Sequence, residues 1–107
     1  MEKNYSPPVA YNDCLVWMAG RDLYLIDLSS LVADKITRLG DEIKSTSAIK
    51  GNHLYVGSES GDLFQININT GNTNKIKIAR EPMWKPVVSN DYLFIVSGKT
   101  LYQVDVS

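Results

Sequence analysis

The 107-residue sequence contains very few of the residues from which catalytic and metal sites are usually built. Its single cysteine, Cys14, excludes an internal disulfide and a cysteine-clustered zinc site. Its single histidine, His53, leaves little material for a metal centre or a Ser-His-Asp triad. We therefore expect no catalytic residues, no metal site and no cofactor, and we expect that the protein is not an enzyme.

Charge and hydropathy exclude further classes. Eleven basic and twelve acidic residues give a net charge of −1, so no basic field for nucleic acid or anionic lipid exists. The longest nearly apolar run, residues 15–20, is far shorter than the roughly 20 residues that span a bilayer. Residues 1–8 offer no signal-peptide core. We expect no nucleic-acid partner, no membrane insertion, and a cytoplasmic location if Met1 is the native start; otherwise the compartment stays open.

An internal repeat organises the chain, and repeats take precedence over local propensity. Segments 8–17, 47–56 and 86–95 align, and their leading leucines, Leu15, Leu54 and Leu93, are spaced 39 residues apart (54 − 15 and 93 − 54). A second match follows in each segment, beginning at residues 23, 63 and 101. The length supports one domain over residues 1–107, with repeat units at 8–46, 47–85 and 86–107.

Apolar residues alternate with period two inside each unit, which predicts β-strands. One face of the third strand of each unit is uniformly apolar, whereas the opposite face turns polar towards the strand end. The apolar positions are Tyr24, Ile26 and Leu28, then Phe64, Ile66 and Ile68, then Tyr102, Val104 and Val106. We therefore predict that each unit is an antiparallel meander of four strands.

The fourth strand has a competing interpretation. Val32, Ile36, Leu39 and Ile43 are spaced as on an amphipathic helix. The repeat contradicts a helix, because residues 34–36 align with residues 74–76, and residues 75–78 alternate strictly after a turn at 69–72. We predict strands over residues 34–39 and 74–79.

A four-stranded unit of about 40 residues has the size of one β-propeller blade. Residues 54–71, LYVGSESGDLFQININTG, resemble the repeat of the quinoprotein-like (pyrroloquinoline-quinone-type) propellers, in which VYVGS-x-x-G-x-LYALD-x-x-TG precedes a tryptophan. The sequence departs from that repeat near Lys75, where the tryptophan is missing, and the first and third units lack the Thr-Gly pair. The resemblance implies an all-β fold, a partial β-propeller of three consecutive four-stranded antiparallel blades, the last lacking its outer strand.

The number of blades has a functional consequence. Closed propellers typically contain four to eight blades, so three blades leave apolar faces on both end blades, which a partner would cover. We expect the partner to be the chain itself, two copies making a six-bladed ring, or another protein, or the rest of a larger propeller. Residues 2–6 are a candidate for the missing strand of a neighbour's last blade, a role that deletion of residues 1–7 without loss of the oligomer would contradict.

These features predict a non-catalytic β-propeller repeat protein that acts as a protein-interaction or assembly scaffold. One alternative is a fragment of a quinoprotein-like dehydrogenase, although the family's acidic metal-binding set and vicinal cysteines find no counterpart here. A second alternative is a sugar- or peptide-binding propeller in which Trp84 and nearby tyrosines act as stacking platforms.

Three sets of residues are candidates for specific roles. Trp84, between the second and third units, and its neighbour Met83 are candidate interface residues, because aromatic side chains contribute much of the energy of desolvated interfaces. For Trp84, ordinary packing between the units is the favoured interpretation. Trp17 aligns with Val56 and Ile95, which predicts a core position. The aligned polar residues Asp13, Asn52 and Asp91 suit either a repeated cation site or a turn, and the turn is favoured because Asn, Asp and Gly adopt left-handed backbone angles there.

Overall fold

The computed structural model describes residues 8–43 and 46–106, and within these ranges every regular element is a strand. The first sheet contains β1 (Val9–Tyr11), β2 (Cys14–Ala19), β3 (Asp22–Asp27) and β4 (Ala33–Arg38). The second sheet contains β5 (Ala48–Lys50), β6 (His53–Gly57), β7 (Asp62–Asn67) and β8 (Thr73–Lys77). The third sheet contains β9 (Met83–Ser89), β10 (Tyr92–Ser97) and β11 (Thr100–Asp105).

Each sheet is an antiparallel meander in which only consecutive strands pair. The sequence repeat is also a repeat of register, since the leading leucine of each unit faces the same position of the following strand. These pairs are Leu15 with Ile26, Leu54 with Ile66, and Leu93 with Val104. The prediction of three meanders, the third without an outer strand, is confirmed for the described residues. The role suggested for residues 2–6 lies outside those residues.

The helix-like spacing at residues 32–43 belongs to a strand and a connection. β4 and β8 lie within one or two residues of the predicted strands, and Ile36 is a residue of β4. Leu39 and Ile43 follow β4 in the connection to the second sheet, where they are 4% and 0% exposed. Their spacing therefore reflects two side chains that fill the space between the first and second sheets.

The turns between the first two strands of each unit share one backbone conformation. Asn12, Gly51 and Asn90 have φ angles of 53°, 61° and 55°. This left-handed region is the one that Asn and Gly tolerate best. Asp13, Asn52 and Asp91 are the second residues of these two-residue turns, directly after the left-handed positions, so the turn interpretation is confirmed.

The sheets stand side by side and enclose two apolar cores. Each sheet has two faces. In the second sheet, the front face carries Leu54, Val56, Phe64, Ile66 and Ile68, and the back face carries Tyr55, Gly57 and Leu63. We use the same names for the corresponding sides of the other two sheets. The back face of the first sheet packs against the front face of the second, and the back face of the second packs against the front face of the third. The second sheet is therefore covered on both sides.

The connections between sheets help to close these cores. The Ile43 amide donates to the Gly20 carbonyl at 3.1 Å, and the Met83 amide donates to the Ser58 carbonyl at 3.2 Å. Ile43, in the connection after the first sheet, and Met83, the first residue of β9, occupy corresponding positions, and both side chains are buried. A Cβ atom on Gly57 would lie 2.5 Å from the Cβ of Met83, so this glycine makes room for the start of β9.

Gly61, in the turn before β7, tests the close approach between this turn and the chain that follows β8. Its φ is +87°, and a Cβ atom would overlap the Ala79 carbonyl oxygen, whereas Gly51 has a φ of +61° and open space around it. We expect Gly51→Ala to cost about 1 kcal/mol of unfolding free energy for the left-handed backbone. Gly61→Ala should cost roughly 1–3 kcal/mol more, because overlap is added to the same backbone penalty. Urea denaturation measures both, and equal losses would contradict the close approach.

Candidate interaction surface

The back face of the third sheet is apolar and exposed. Leu101, at the start of β11, is 64% exposed, whereas the corresponding Leu23 and Leu63 are 0% exposed in the first two sheets. Val96 is 40% exposed, whereas the corresponding Met18 is 0% exposed. The same positions that form the cores elsewhere are open here, because no sheet within the described residues packs against them.

The front face of the first sheet shows the reciprocal difference. Leu28 is 49% exposed, while the corresponding Ile68 of the second sheet is 2% exposed. Tyr24 and Ile26 are half-buried, while their counterparts in the second sheet are buried. Among the described residues no sheet precedes this face, so it also stays open.

These two open faces contain most of the exposed large apolar side chains of the described chain. Nine such side chains are exposed, and six of them lie on one or other face. The six are Leu28 on the front face of the first sheet and Trp84, Val87, Tyr92, Val96 and Leu101 on the back face of the third. Their concentration at the two ends is the feature that marks interaction surfaces in soluble proteins.

Trp84 lies in β9, within the third sheet, rather than in a connection between units. Its cross-strand partner is Val96, whose partner on the other side is Leu101, so the three form one exposed apolar row across the sheet. Trp84 is 52% exposed, whereas the other interface candidate, Met83, is 1% exposed in the second core. The sequence names both residues as interface candidates and does not distinguish them, and their role as interface residues stays a prediction.

A bulge in β9 sets this arrangement. Trp84 pairs with Val96 and Val87 pairs with Phe94, with a register shift between the two pairs. Without an extra residue, Trp84 and Val87 would project to opposite sides, because strand side chains alternate. Lys85 provides the irregularity with a φ of 40°, next to Pro86. The proline was the available signal, because proline within strands is confined to edges and bulges.

Trp17 lies on the front face of the first sheet and is half-buried rather than part of a core. Its counterparts Val56 and Ile95 are both 0% exposed, as the alignment predicts for a core position. The difference arises because their sheets have a neighbour in front. The Trp17 ring lies 6.0 Å from the Tyr24 ring, so the two aromatic side chains form one platform on this open face.

Polar contacts join consecutive sheets at the rim of the cores. The Tyr11 hydroxyl, at the end of the first strand of the first sheet, donates to Asn69 Oδ1 at 3.4 Å. Lys50 Nζ, at the corresponding position of the second sheet, lies 3.1 Å from Asp91 Oδ1 of the third. The last residue of the first strand of a sheet therefore contacts the next sheet in both interfaces. Ser89 occupies this position in the third sheet.

Asp41 anchors the first connection to the second sheet. Its carboxylate accepts hydrogen bonds from the amides of Glu42 at 2.8 Å and Ser60 at 3.2 Å. Partial burial by itself would raise the pKa of Asp41, but hydrogen bonds from Ser60 and Glu42 outweigh it and hold the pKa below its usual value. The ionised form of Asp41 therefore stabilises the folded state.

The scarce catalytic residue types are dispersed. Cys14 and His53 begin the second strands of different sheets, both half-buried, and the His53 ring lies 6.5 Å from the Tyr55 ring. Within residues 8–43 and 46–106, no three His, Cys, Asp or Glu side chains are grouped as metal ligands would be. The same residues contain no helix that is long and apolar enough to cross a membrane.

Solved structures with similar folds include two designed proteins and one natural domain. The computationally designed Ika4 protein superposes with a TM-score of 0.76 at 11% identity, over 96% of this chain and 66% of that chain. The designed Ika8 protein gives 0.75 at 11% identity, over 95% and 33%. The N-terminal domain of Nup159 gives 0.68 at 16% identity, over 94% and 30%. The chain thus spans slightly less than two thirds of the first and about a third of the others.

No protein-family model and no curated protein matches the sequence. At 11–16% identity the structural likenesses concern the fold alone. Together with the three meanders, they identify an all-β partial β-propeller of three consecutive blades, the third described without its outer strand. The narrower resemblance to the quinoprotein repeat stays a prediction.

Asp41 generates a prediction on pH dependence. Because its pKa is lowered in the folded state, it contributes stability above the unfolded pKa of about 4, and that contribution is lost as the pH falls through the lower folded value. Asp41→Asn should therefore destabilise the protein at pH 7 and flatten the loss of stability below pH 4. The measurement is the urea midpoint from about pH 7 to pH 3. Asp34→Asn, at an exposed position of β4, is the matched control, and identical profiles for the two variants would contradict this role.

Proposed function

We propose that the protein is a non-catalytic propeller-repeat module that acts as an assembly scaffold. Its interaction surfaces are the two open faces, and the molecules that cover them supply further blades, either as a second copy or as the rest of a larger propeller. The observation that carries this proposal is the contrast between Leu101, 64% exposed, and the corresponding Leu23 and Leu63, both 0% exposed.

The physical reason is the cost of leaving these side chains in water. Burial of a leucine-sized side chain stabilises an assembly by roughly 1.5–3 kcal/mol relative to exposure. The row of Trp84, Val96 and Leu101 presents three such side chains on one flat sheet face. A protein surface of matching shape would gain that energy on contact, and this supports an interaction role.

The same row argues against a sugar-stacking platform at Trp84. A sugar site combines an aromatic ring with hydrogen-bonding groups that fix the hydroxyls. The neighbours of Trp84 across the sheet are instead valine and leucine. An apolar protein surface fits this face better.

Leu101→Asp tests the proposal. A charge on the back face of the third sheet should weaken association of the 107-residue chain at least about tenfold, since loss of one buried leucine exceeds 1.4 kcal/mol. Ile76→Asp is the matched control, because Ile76 is 42% exposed in β8 of the second sheet, which contributes to neither open face. Sedimentation velocity over a range of protein concentrations measures the effect.

The outcomes separate clearly. Association that Leu101→Asp weakens and Ile76→Asp leaves unchanged supports the scaffold role. A wild-type chain that sediments as a stable monomer at all concentrations overturns assembly through a second copy, and equal effects of the two substitutions overturn the role of the back face. A urea denaturation curve for each variant shows that the monomer fold is retained.

A further inference from the structure

We infer that the open back face of the third sheet packs on the open front face of the first sheet of a second copy, so that two chains close one six-bladed ring. This inference rests on the proposed function and specifies its partner and its order. The partner is a second copy of this chain, and the contact is head-to-tail rather than between like faces.

The order follows from the two interfaces inside the chain. In both, a back face packs against the front face of the next sheet. Only one back face and one front face then remain unpaired among the described sheets. Joining them repeats a contact that this sequence already makes twice, whereas back-to-back contact would need a packing for which the chain offers no example.

Corresponding residues support the same pairing. Leu101 corresponds to Leu23 and Leu63, which are buried against a front face, and Leu28 corresponds to Ile68, which is 2% exposed against a back face. The two open faces therefore carry leucines at positions that are buried in the internal interfaces. Head-to-tail contact buries both leucines at once, whereas back-to-back contact leaves Leu28 in water.

The rim of the new interface is electrostatically acceptable. Lys50 of the second sheet contacts Asp91 of the third at 3.1 Å. At the new interface, Ser89 of one copy occupies the position of Lys50, 39 residues earlier in the chain (89 − 50). Asp13 of the other copy corresponds to Asn52 (52 − 13), which corresponds in turn to Asp91 (91 − 52). A serine facing an aspartate permits a hydrogen bond and places no like charges together.

The number of copies follows from the size of propellers. Closed rings contain typically four to eight blades, and the three described sheets of two copies give six. A head-to-tail contact closes into a ring when the rotation per unit allows it, and otherwise grows into a filament. Two copies therefore predict a discrete dimer rather than a ladder of larger species.

Complementary single-face variants test the order. Leu28→Asp alters only the front face of the first sheet, and Leu101→Asp alters only the back face of the third; both positions are exposed, at 49% and 64%. In a head-to-tail ring each variant alone carries the charge in both interfaces, so each should lose association at least about tenfold. An equimolar mixture regains one unaltered interface, and we expect a mixed dimer, detected by sedimentation and by native mass spectrometry.

Other arrangements give different results. If back faces pair with each other, Leu28→Asp associates like the wild type, Leu101→Asp does not, and mixing restores nothing. That result overturns the head-to-tail inference while the scaffold proposal stands. Wild-type species larger than a dimer overturn the six-bladed ring, and a monomeric wild type overturns this inference together with assembly of the scaffold through a second copy.

A cross-link provides an independent readout. Ser89→Lys places an ammonium where Lys50 stands in the second sheet, and carbodiimide should then couple it to Asp13 of the other copy. We expect a band of twice the chain mass and a peptide joining positions 89 and 13. Ser89→Lys combined with Asp13→Asn is the control, and a link at the same yield in that variant, or the absence of any 89–13 peptide, contradicts the pairing.

Discussion

A β-sheet whose two sides are both apolar is stable in water only when both sides are covered. The second sheet of this protein meets that condition, with Leu54 and Ile66 packed towards the first sheet and Tyr55 and Leu63 towards the third. The rest of the structure depends on this constraint, because the flanking sheets that satisfy it have apolar outer sides of their own. Each additional sheet covers one apolar face and exposes another. Closure of the row into a ring leaves no end face exposed.

This constraint also explains why the surface of the molecule is so uneven. The polar contacts, such as Lys50 with Asp91, lie at the rims of the interfaces, whereas the open faces present rows of apolar side chains. Contacts of Ile43 and Met83 also hold consecutive sheets together. The amide of each residue donates to a carbonyl in a turn between two strands, and both side chains are buried between sheets. The open faces are therefore a direct product of the repeat, because the same positions form the core inside the row and stay exposed at its ends.

Much of the fold could be predicted from the sequence, because a strand meander is encoded locally. The two-residue alternation identified the strands, and comparison of residues 34–36 with 74–76 gave the correct strand where helical spacing pointed elsewhere. The candidate site was predicted less completely. Trp84 was named as an interface candidate, with packing between the units favoured, but the bulge at Lys85 that turns Val87 to the same side depends on how β9 pairs with β10. Met83, adjacent in sequence, is buried because it enters the core between two sheets.

The sequence by itself determined the number of repeat units, the strands within each unit, and which residues share a face wherever the strands are regular. These properties depend on spacing along the chain, and spacing is visible in the residues. Only the tertiary structure decided which of those faces is covered. Leu23, Leu63 and Leu101 are the same residue type at the same position of the repeat, yet two are fully buried and one is 64% exposed. The reason is that burial depends on the neighbouring sheet, which the local pattern of a unit does not encode.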